Sequence, residues 1–415
     1  TTPAPGIAST RRRPPAWSAA GLLVAAGLFR ASQNMAITTF PLLGREELHL
    51  GAAFIGGLGT VIGVTGIAAT LAVGSRVSSA HATTAVAAGT AVLLACLLVF
   101  GTSTSTAQFV VAAVLLGAAG GATTPSLATA IGRAPAPHRD RALARYALVL
   151  SVSLAAGPLV ETATLALGGQ RIRLPFFVFA ALPVSALALG LVPARRSRPD
   201  RPEAPGETPA TAATDEPLRQ TRGGRLSALL STRGGRLALT AQLLYAAPFS
   251  AVTVFGALVA RDVYGTSAAG AQLSFTAFFV ASLASRALIA RFSPITAKLR
   301  LFGLCAALTV VGLALLALGG PKVDLFVAMA LLGVPHGVTF PLALALTADA
   351  SPPEHLAAAN ATLFAINASA SVVAPVVLGA VATAAGYQVM MAAVLAPVAL
   401  FAALLAGHRQ PAAAA

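Results

Sequence analysis

Twelve apolar runs, each long enough to cross a bilayer, constrain this chain more than any motif in it. They cover residues 17–41, 50–73, 83–101, 107–131, 143–168, 174–193, 237–260, 267–289, 299–319, 323–348, 356–383 and 387–407 of the 415. A spanning helix takes about 20 apolar residues. The runs lack the period-2 alternation of a barrel strand, so their backbone amides must be satisfied within helices. The fold class that follows is an all-α membrane protein with 12 transmembrane helices. Composition agrees, with 56% of residues apolar, 10% charged and a mean hydropathy of +0.80, against about 25% charged in soluble domains.

A net charge of +15 fits either a nucleic-acid partner or a membrane face rich in Lys and Arg, and placement decides between them. With the N-terminus inside, the basic residues gather in the two tails and in or beside the loops that follow even-numbered spans, with Arg286, near the inner end of the eighth run, counted among them. Arg45, Arg171, Arg173, Arg261 and Lys322 fall on the opposite side, and Arg30 alone lies within a span. The asymmetry predicts both termini in the cytoplasm at a plasma (inner) membrane, and it accounts for the charge with no nucleic acid. The stretch TTPAPGIASTRRRPP ahead of Trp17 reads as the tail of a retained first helix, because the apolar run behind it is too long for a signal peptide and lacks a small-residue cleavage site. Cys96 and Cys305 lie in spans of different halves, where Cys acts as a small apolar packer. Neither a disulfide framework nor a metal site is expected.

Residues 194–236 break the pattern with Pro, Arg, Thr and acidic residues, a composition that buries no core. The expected order is a tail (1–16), a six-helix bundle (17–193), a central cytoplasmic loop (194–236), a second six-helix bundle (237–407) and a tail (408–415). The piece RLSALL within the loop reads as an interfacial helix or a solvated linker. The two halves are related. GAAGGATTP (117–125) and GVPHGVTFP (333–341) share Gly117, Gly121, Thr123 and Pro125 with Gly333, Gly337, Thr339 and Pro341 at an offset of 216, and AAGP ending at Pro158 aligns with VVAP ending at Pro375 at an offset of 217. An offset of six spans is even, so related helices run the same way, as in a parallel pseudo-twofold repeat.

On these features the chain resembles the major facilitator superfamily of 6+6 secondary transporters, with the Gly157-Pro158 pair in span 5 pointing to its drug/metabolite:proton antiporter branch. The resemblance implies spans 1, 4, 7 and 10 around a central cavity, spans 2, 5, 8 and 11 where the halves meet, and the rest outside. It also implies a transporter rather than an enzyme. Three motif positions depart from the family pattern. The loop after span 2 reads GSRVSSAHATT from Gly74, without the family's acidic residue. Ala113 stands four before Gly117, where proton-coupled members carry Arg. Span 5 reads G-P-L-V-E-T over 157–162 in place of G-P-x-x-G-G.

The energy source narrows by what is missing from the sequence. Lys298 and Lys322 follow Ala and Pro, so no Gly-Lys phosphate loop exists. There is no H-E-x-x-H or G-x-S-x-G pattern either, and HRD at 138–140 reads as a basic loop. No cofactor is expected, and movement must follow gradients.

The candidate site rests on polar residues inside apolar runs. A charge at mid-bilayer costs about 2.5–3.5 kcal/mol on the insertion scale, which marks Glu161 and Arg30 as functional by default. Glu161 has three readings: a proton carrier, an ion pair with Arg30 holding spans 1 and 5 together, or a carboxyl without a role. Arg30, Gln33 and Asn34 stand at i, i+3 and i+4, with Thr38 continuing the row on one helix face. The guanidinium of Arg30 suits a carboxylate or phosphate. In the second half Gln242, Tyr245 and Phe249 share a face, as do Asn360, Phe364, Asn367 and Ser371, a mixture that suits an amphipathic organic ligand. His336 stands where the first repeat has Gly120, and Thr123 and Thr339 are candidate lining residues. Gly117, Gly121, Pro125, Gly157, Pro158, Gly333, Gly337, Pro341 and Pro375 are candidates for gating and helix contact.

The expected function is alternating-access secondary transport by a monomer in the lipid bilayer, with a small-molecule substrate and a proton as coupling ion. Export of an amphipathic organic compound leads. Uptake or exchange of a small organic anion on Arg30 is the alternative, and a sensor that binds without transporting is a third class.

Overall fold

The computed structural model describes residues 18–76, 81–133, 136–191, 233–292, 297–350 and 356–407. Both tails, the central loop up to residue 232 with RLSALL and the loop just past Arg76 lie outside the described residues, while residues 233–236, expected in the loop, open a helix. The helices are α1 (Ala19–Glu47), α2 (Ala52–Arg76), α3 (Ala82–Thr102), α4 (Thr106–Ile131), α5 (Ala136–Leu167), α6 (Leu174–Leu191), α7 (Arg233–Asp262), α8 (Ala268–Arg291), α9 (Lys298–Leu318) and α10 (Lys322–Ala350), and a last helical segment spans Leu356–Gly407. That segment is broken at Gly386, with φ 85° and ψ 168°, into limbs named here α11 (356–385) and α12 (387–407). Among the described residues nine stretches are long and apolar enough to cross a bilayer by length and composition. α1, with its polar row, is not one of them, and the described apolar part of α6, Leu174–Gly190, is shorter.

Polar caps start the helices where the apolar runs begin. The Ser18 hydroxyl accepts from the Gly21 amide at 3.0 Å, and Ser105 and Gln108 form a reciprocal capping box at the head of α4, each satisfying amides that have no partner within the helix. Turn geometry then repeats between the halves. Leu50 N donates to Gly44 O (2.9 Å) and Thr266 N to Ala260 O (3.0 Å), with His49 and Gly265 both left-handed at φ 53° and 60°. Gln170 (φ 64°) ends α5 as Gly386 (φ 85°) ends α11. Each pair is 216 apart. The Gly386 break is therefore the second copy of the α5–α6 turn, and the final helical segment is two helices.

Small residues seat the helices within each half. A side chain on Gly117 or Gly121 of α4 would run into the α2 carbonyls of Ile62 and Gly66, and one on Gly333 or Gly337 of α10 into the α8 carbonyls of Phe278 and Ser282. The repeated motif thus fastens α4 to α2 and α10 to α8, inside the bundles. Phe40, Phe100, Phe109 and Phe176 fill the first half's core, with the rings of Phe100 and Phe109 edge to face at 4.9 Å.

Between the halves α2 meets α11 and α5 meets α8. A side chain on Gly56 would strike the Pro375 carbonyl, and Thr60 Oγ1 donates to Val372 O at 2.6 Å. Ala269 N donates to Gln170 Oε1 at 2.9 Å. Arg261 pairs with Glu46 and Arg45 with Asp262. These contacts lie toward the face where α1 ends, the far face. Toward the near face, where α1 begins, Arg286 Nη1 of α8 reaches Ser151 Oγ of α5 at 3.2 Å.

Candidate functional site

The polar row of α1 lies at the junction of the halves, and its members are engaged in different ways. Arg30 Nη1 donates to Gln33 Oε1 at 3.0 Å. Gln33 is accommodated by Gly120 of α4, where a Cβ would collide with the Gln33 amide. Asn34 is buried and its Nδ2 finds no acceptor among the described residues. Thr38 returns its hydroxyl to the Asn34 and Met35 carbonyls, at 3.1 and 3.2 Å.

Glu161 does not pair with Arg30. It is fully buried (0% exposed), Thr39 Oγ1 donates to its Oε1, and its Oε2 has no partner among the described residues. Gln272 of α8 approaches the same place from the other half, its Nε2 donating to Thr38 O at 3.3 Å and Thr39 Oγ1 at 3.4 Å. Thr39 and Gln272 were not singled out from the sequence. Together with Glu161 they make a buried polar node joining α1, α5 and α8.

In the second half an aromatic stack surrounds His336. Its ring lies 4.5 Å from Phe249, 4.9 Å from Phe278 and 5.4 Å from Tyr245 between centroids, and its Nδ1 bonds Ser282 Oγ at 2.8 Å. Gln242 Nε2 donates to Asn367 Oδ1 at 2.9 Å, while Gln242 Oε1 and Asn360 Oδ1 are buried with no partner among the described residues. Phe340 packs against both Tyr245 and Phe364. The repeat organises this contact too. Gln33 against Gly120 and Phe249 against His336 are equivalent pairs, each 216 apart, so an amide fills on one side the place a stacked ring takes on the other.

Two expectations about the lining are corrected. Thr123 faces Gly89 of α3, and Thr339 bonds Cys305 of α9. Gly89 and Cys305 are themselves 216 apart, so the two threonines are equivalent as expected, but each points into its own bundle. Pro375 does lie where the halves meet, while Gly157 packs on Ala31 of α1.

Arg30 is also not the one arginine inside a span. Arg286, counted with the inner-side basic residues, lies within the apolar stretch Ala268–Arg291. It is within electrostatic reach of Arg30, Tyr245 and His336, and its buried Nε has no partner among the described residues.

Two parallel six-helix repeats with polar groups buried at their junction define a class, the polytopic secondary transporters, which are not enzymes. The chain belongs to the Major Facilitator Superfamily, whose family model matches residues 22–321 and 237–414. No curated protein sequence matches significantly. Among solved structures, the nucleoside transporter NupG is similar over 94% of this chain and 98% of its own, with TM-score 0.73 at 13% identity. A bacterial homologue of the human lysosomal transporter Spinster, in an inward-facing and occupied conformation, is similar over 93% and 95%, with TM-score 0.67 at 14% identity. The human organic anion transporter MFSD10 (TETRAN) is similar over 93% and 98%, with TM-score 0.61 at 14% identity.

Proposed function

We propose that the protein carries an amphipathic organic anion across the plasma membrane by alternating access, binding it at the junction of α1, α7 and α10, with the near face in the cytoplasm. A fold shared by nucleoside and organic anion transporters does not choose the solute, so the side chains must. The carrying observation is that Arg30 sits at the junction with Gln33 as its hydrogen-bond partner and, among the described residues, without a carboxylate. A guanidinium inside a membrane is costly unless an anion meets it, and its planar fork suits a carboxylate or phosphate. Tyr245, Phe249 and His336 supply the wall for an apolar portion.

Glu161 supports proton coupling as part of the same cycle. It is a carboxyl with no cation partner among the described residues, placed where α8 of the second half must move against α1 and α5 of the first, and it can exchange a proton as water reaches it from either side. Export is the direction that Gly157-Pro158 supports.

Proteoliposomes test the reading with benzoate, phenyl phosphate and uncharged benzyl alcohol as probes, under an imposed pH gradient. Flux of the anions with little flux of the alcohol is expected, and Arg30→Ala should weaken anion binding by about tenfold or more. Equal flux of alcohol and anions, indifferent to Arg30→Ala, would overturn it. Binding without flux in the wild type would identify a sensor.

A further inference from the structure

The node of Glu161, Thr39 and Gln272 gathers more oxygen than its hydrogen bonds use. Thr39 Oγ1 on α1 donates to Glu161 Oε1 on α5 and accepts from Gln272 Nε2 on α8 at 3.4 Å, so one hydroxyl links the two head groups. Gln272 Nε2 also donates to Thr38 O at 3.3 Å. A main-chain carbonyl only accepts, which fixes the amide with its nitrogen toward α1 and leaves its Oε1 as an acceptor. That Oε1 and Glu161 Oε2 are both buried with no partner among the described residues. Thr38, Thr39, Glu161 and Gln272 are all 0% exposed. The ion pairs among the described residues are Arg45 with Asp262, Arg173 with Glu47, Arg261 with Glu46 and Lys298 with Asp349, and none includes Glu161. Two spare acceptors thus belong to one node, and with Glu161 ionised neither carries a hydrogen for the other. A water could donate to both, but it would leave the carboxylate's charge uncompensated in a dry setting. A cation meets both needs.

We infer that this node binds a small monovalent metal cation, with sodium as its probe and Glu161 Oε2 and Gln272 Oε1 as its ligands. The inference rests on the reading that Glu161 is the coupling group, and it adds a second occupant beside the proton. The donors decide the kind of ion and its charge. Carboxylate and amide oxygens suit hard cations. One carboxylate among neutral oxygens balances a single positive charge, so a divalent ion would bring an unmatched charge into the interior. Placement gives the ion a second task. Glu161 belongs to the first half and Gln272 to the second, in the second turn of α8 and toward the far face. Both ligands hold the ion only while the halves are together there. Sodium therefore favours the far-closed form, through the difference between its affinities for the two forms.

Binding of radiolabelled sodium to the purified full chain, with choline as the inert salt, tests the site. The wild type is expected to bind sodium saturably and to keep it against calcium at equal ionic strength. Glu161→Gln should lose the binding. Gln272→Met, which keeps the bulk of the side chain without its oxygen, should weaken it by about tenfold or more. Thermal unfolding in choline shows whether each variant is folded, and the wild-type measurements decide by themselves if one is not. Spin labels at 49 and 265 should report a far-closed population that rises with sodium in the wild type and stays constant in Gln272→Met. No saturable binding in the wild type, displacement by calcium, or binding that both folded variants retain overturns the inference. If Glu161→Gln in that case still loses accumulation driven by a pH gradient, the proton reading stands. Sodium binding together with pH-driven accumulation that survives Glu161→Gln keeps the cation site and removes the proton reading.

Discussion

Arg261 reaches from the end of α7 to Glu46 at the end of α1, with Nε 2.6 Å from Oε1. Beside them Arg45 approaches Asp262 at 3.8 Å. These are two copies of one dipeptide, Arg45-Glu46 and Arg261-Asp262, 216 apart, and each arginine serves the other copy's acid. The four side chains are between 31% and 47% exposed, so the pairs contribute little to folding. Because they join different halves, their energy falls instead on the balance between far-face closure and opening.

Arg261→Gln should therefore raise the far-open population by about two- to fivefold at low salt, with the effect shrinking as salt screens the pairs. Double electron–electron resonance between spin labels at 49 and 265 reads the distribution. Glu46→Arg combined with Arg261→Glu should return it to wild type, and failure of that rescue would show that the charges do not act as a pair.

Gly56→Ala should act on the same balance through sterics. Its Cβ would meet the Pro375 carbonyl, whereas Gly57 has open space around it. The variant is expected to hold α2 and α11 apart at the far face, seen as a longer label distance across that pair, and Gly57→Ala should leave the distance unchanged.

Glu161→Gln keeps an acceptor for Thr39 and removes the titratable group. Accumulation driven by a pH gradient should fall to the level seen without one, while exchange at equal pH on both sides persists. A variant that still accumulates solute with the gradient would show that Glu161 carries no proton.

Gly117→Ala should destabilise the protein by about 1–3 kcal/mol, since the new methyl overpacks the α2–α4 contact. Gly303, with nothing near its missing Cβ, gives the opposite sign: Gly303→Ala should stabilise by about 0.5–1 kcal/mol through helix propensity. Thermal unfolding in detergent compares the two.

The helices were legible because lipid demands long apolar runs, and those runs match the observed helices to within a few residues. The departures are polar extensions. α5 starts at Ala136 and α7 at Arg233, ahead of the apolar stretches, because a helix continues past the hydrocarbon wherever its sequence permits. Arg286 was missed for a related reason. A charged residue five positions from Arg291 looks like a loop residue, although Ser282, Ser285 and Arg286 stand at i, i+3 and i+4 like Arg30, Gln33 and Asn34, and that row was the available signal. The partner of Glu161 was not legible. Depth along a helix follows from counting residues, but whether Arg30 or Thr39 meets a carboxyl on α5 depends on the rotation of two packed helices. Thr123 and Thr339 make the same point, since the repeat establishes that they are equivalent and leaves open which way they face.

The glycine seats on α2 and α8 decide how force travels through the molecule. α8 bears on α10 through Gly333 and Gly337 and on α5 across the junction, and α2 stands likewise between α4 and α11. On the proposed reading, a solute that displaced His336 would push α10 against α8, which carries both Arg286 and Gln272. With no slack at the glycines the helix cannot yield locally, so the push becomes a torque on the whole half. α2 and α8 then serve as a pair of fulcrums, and the distance from binding site to far-face ion pairs is the arm of a lever.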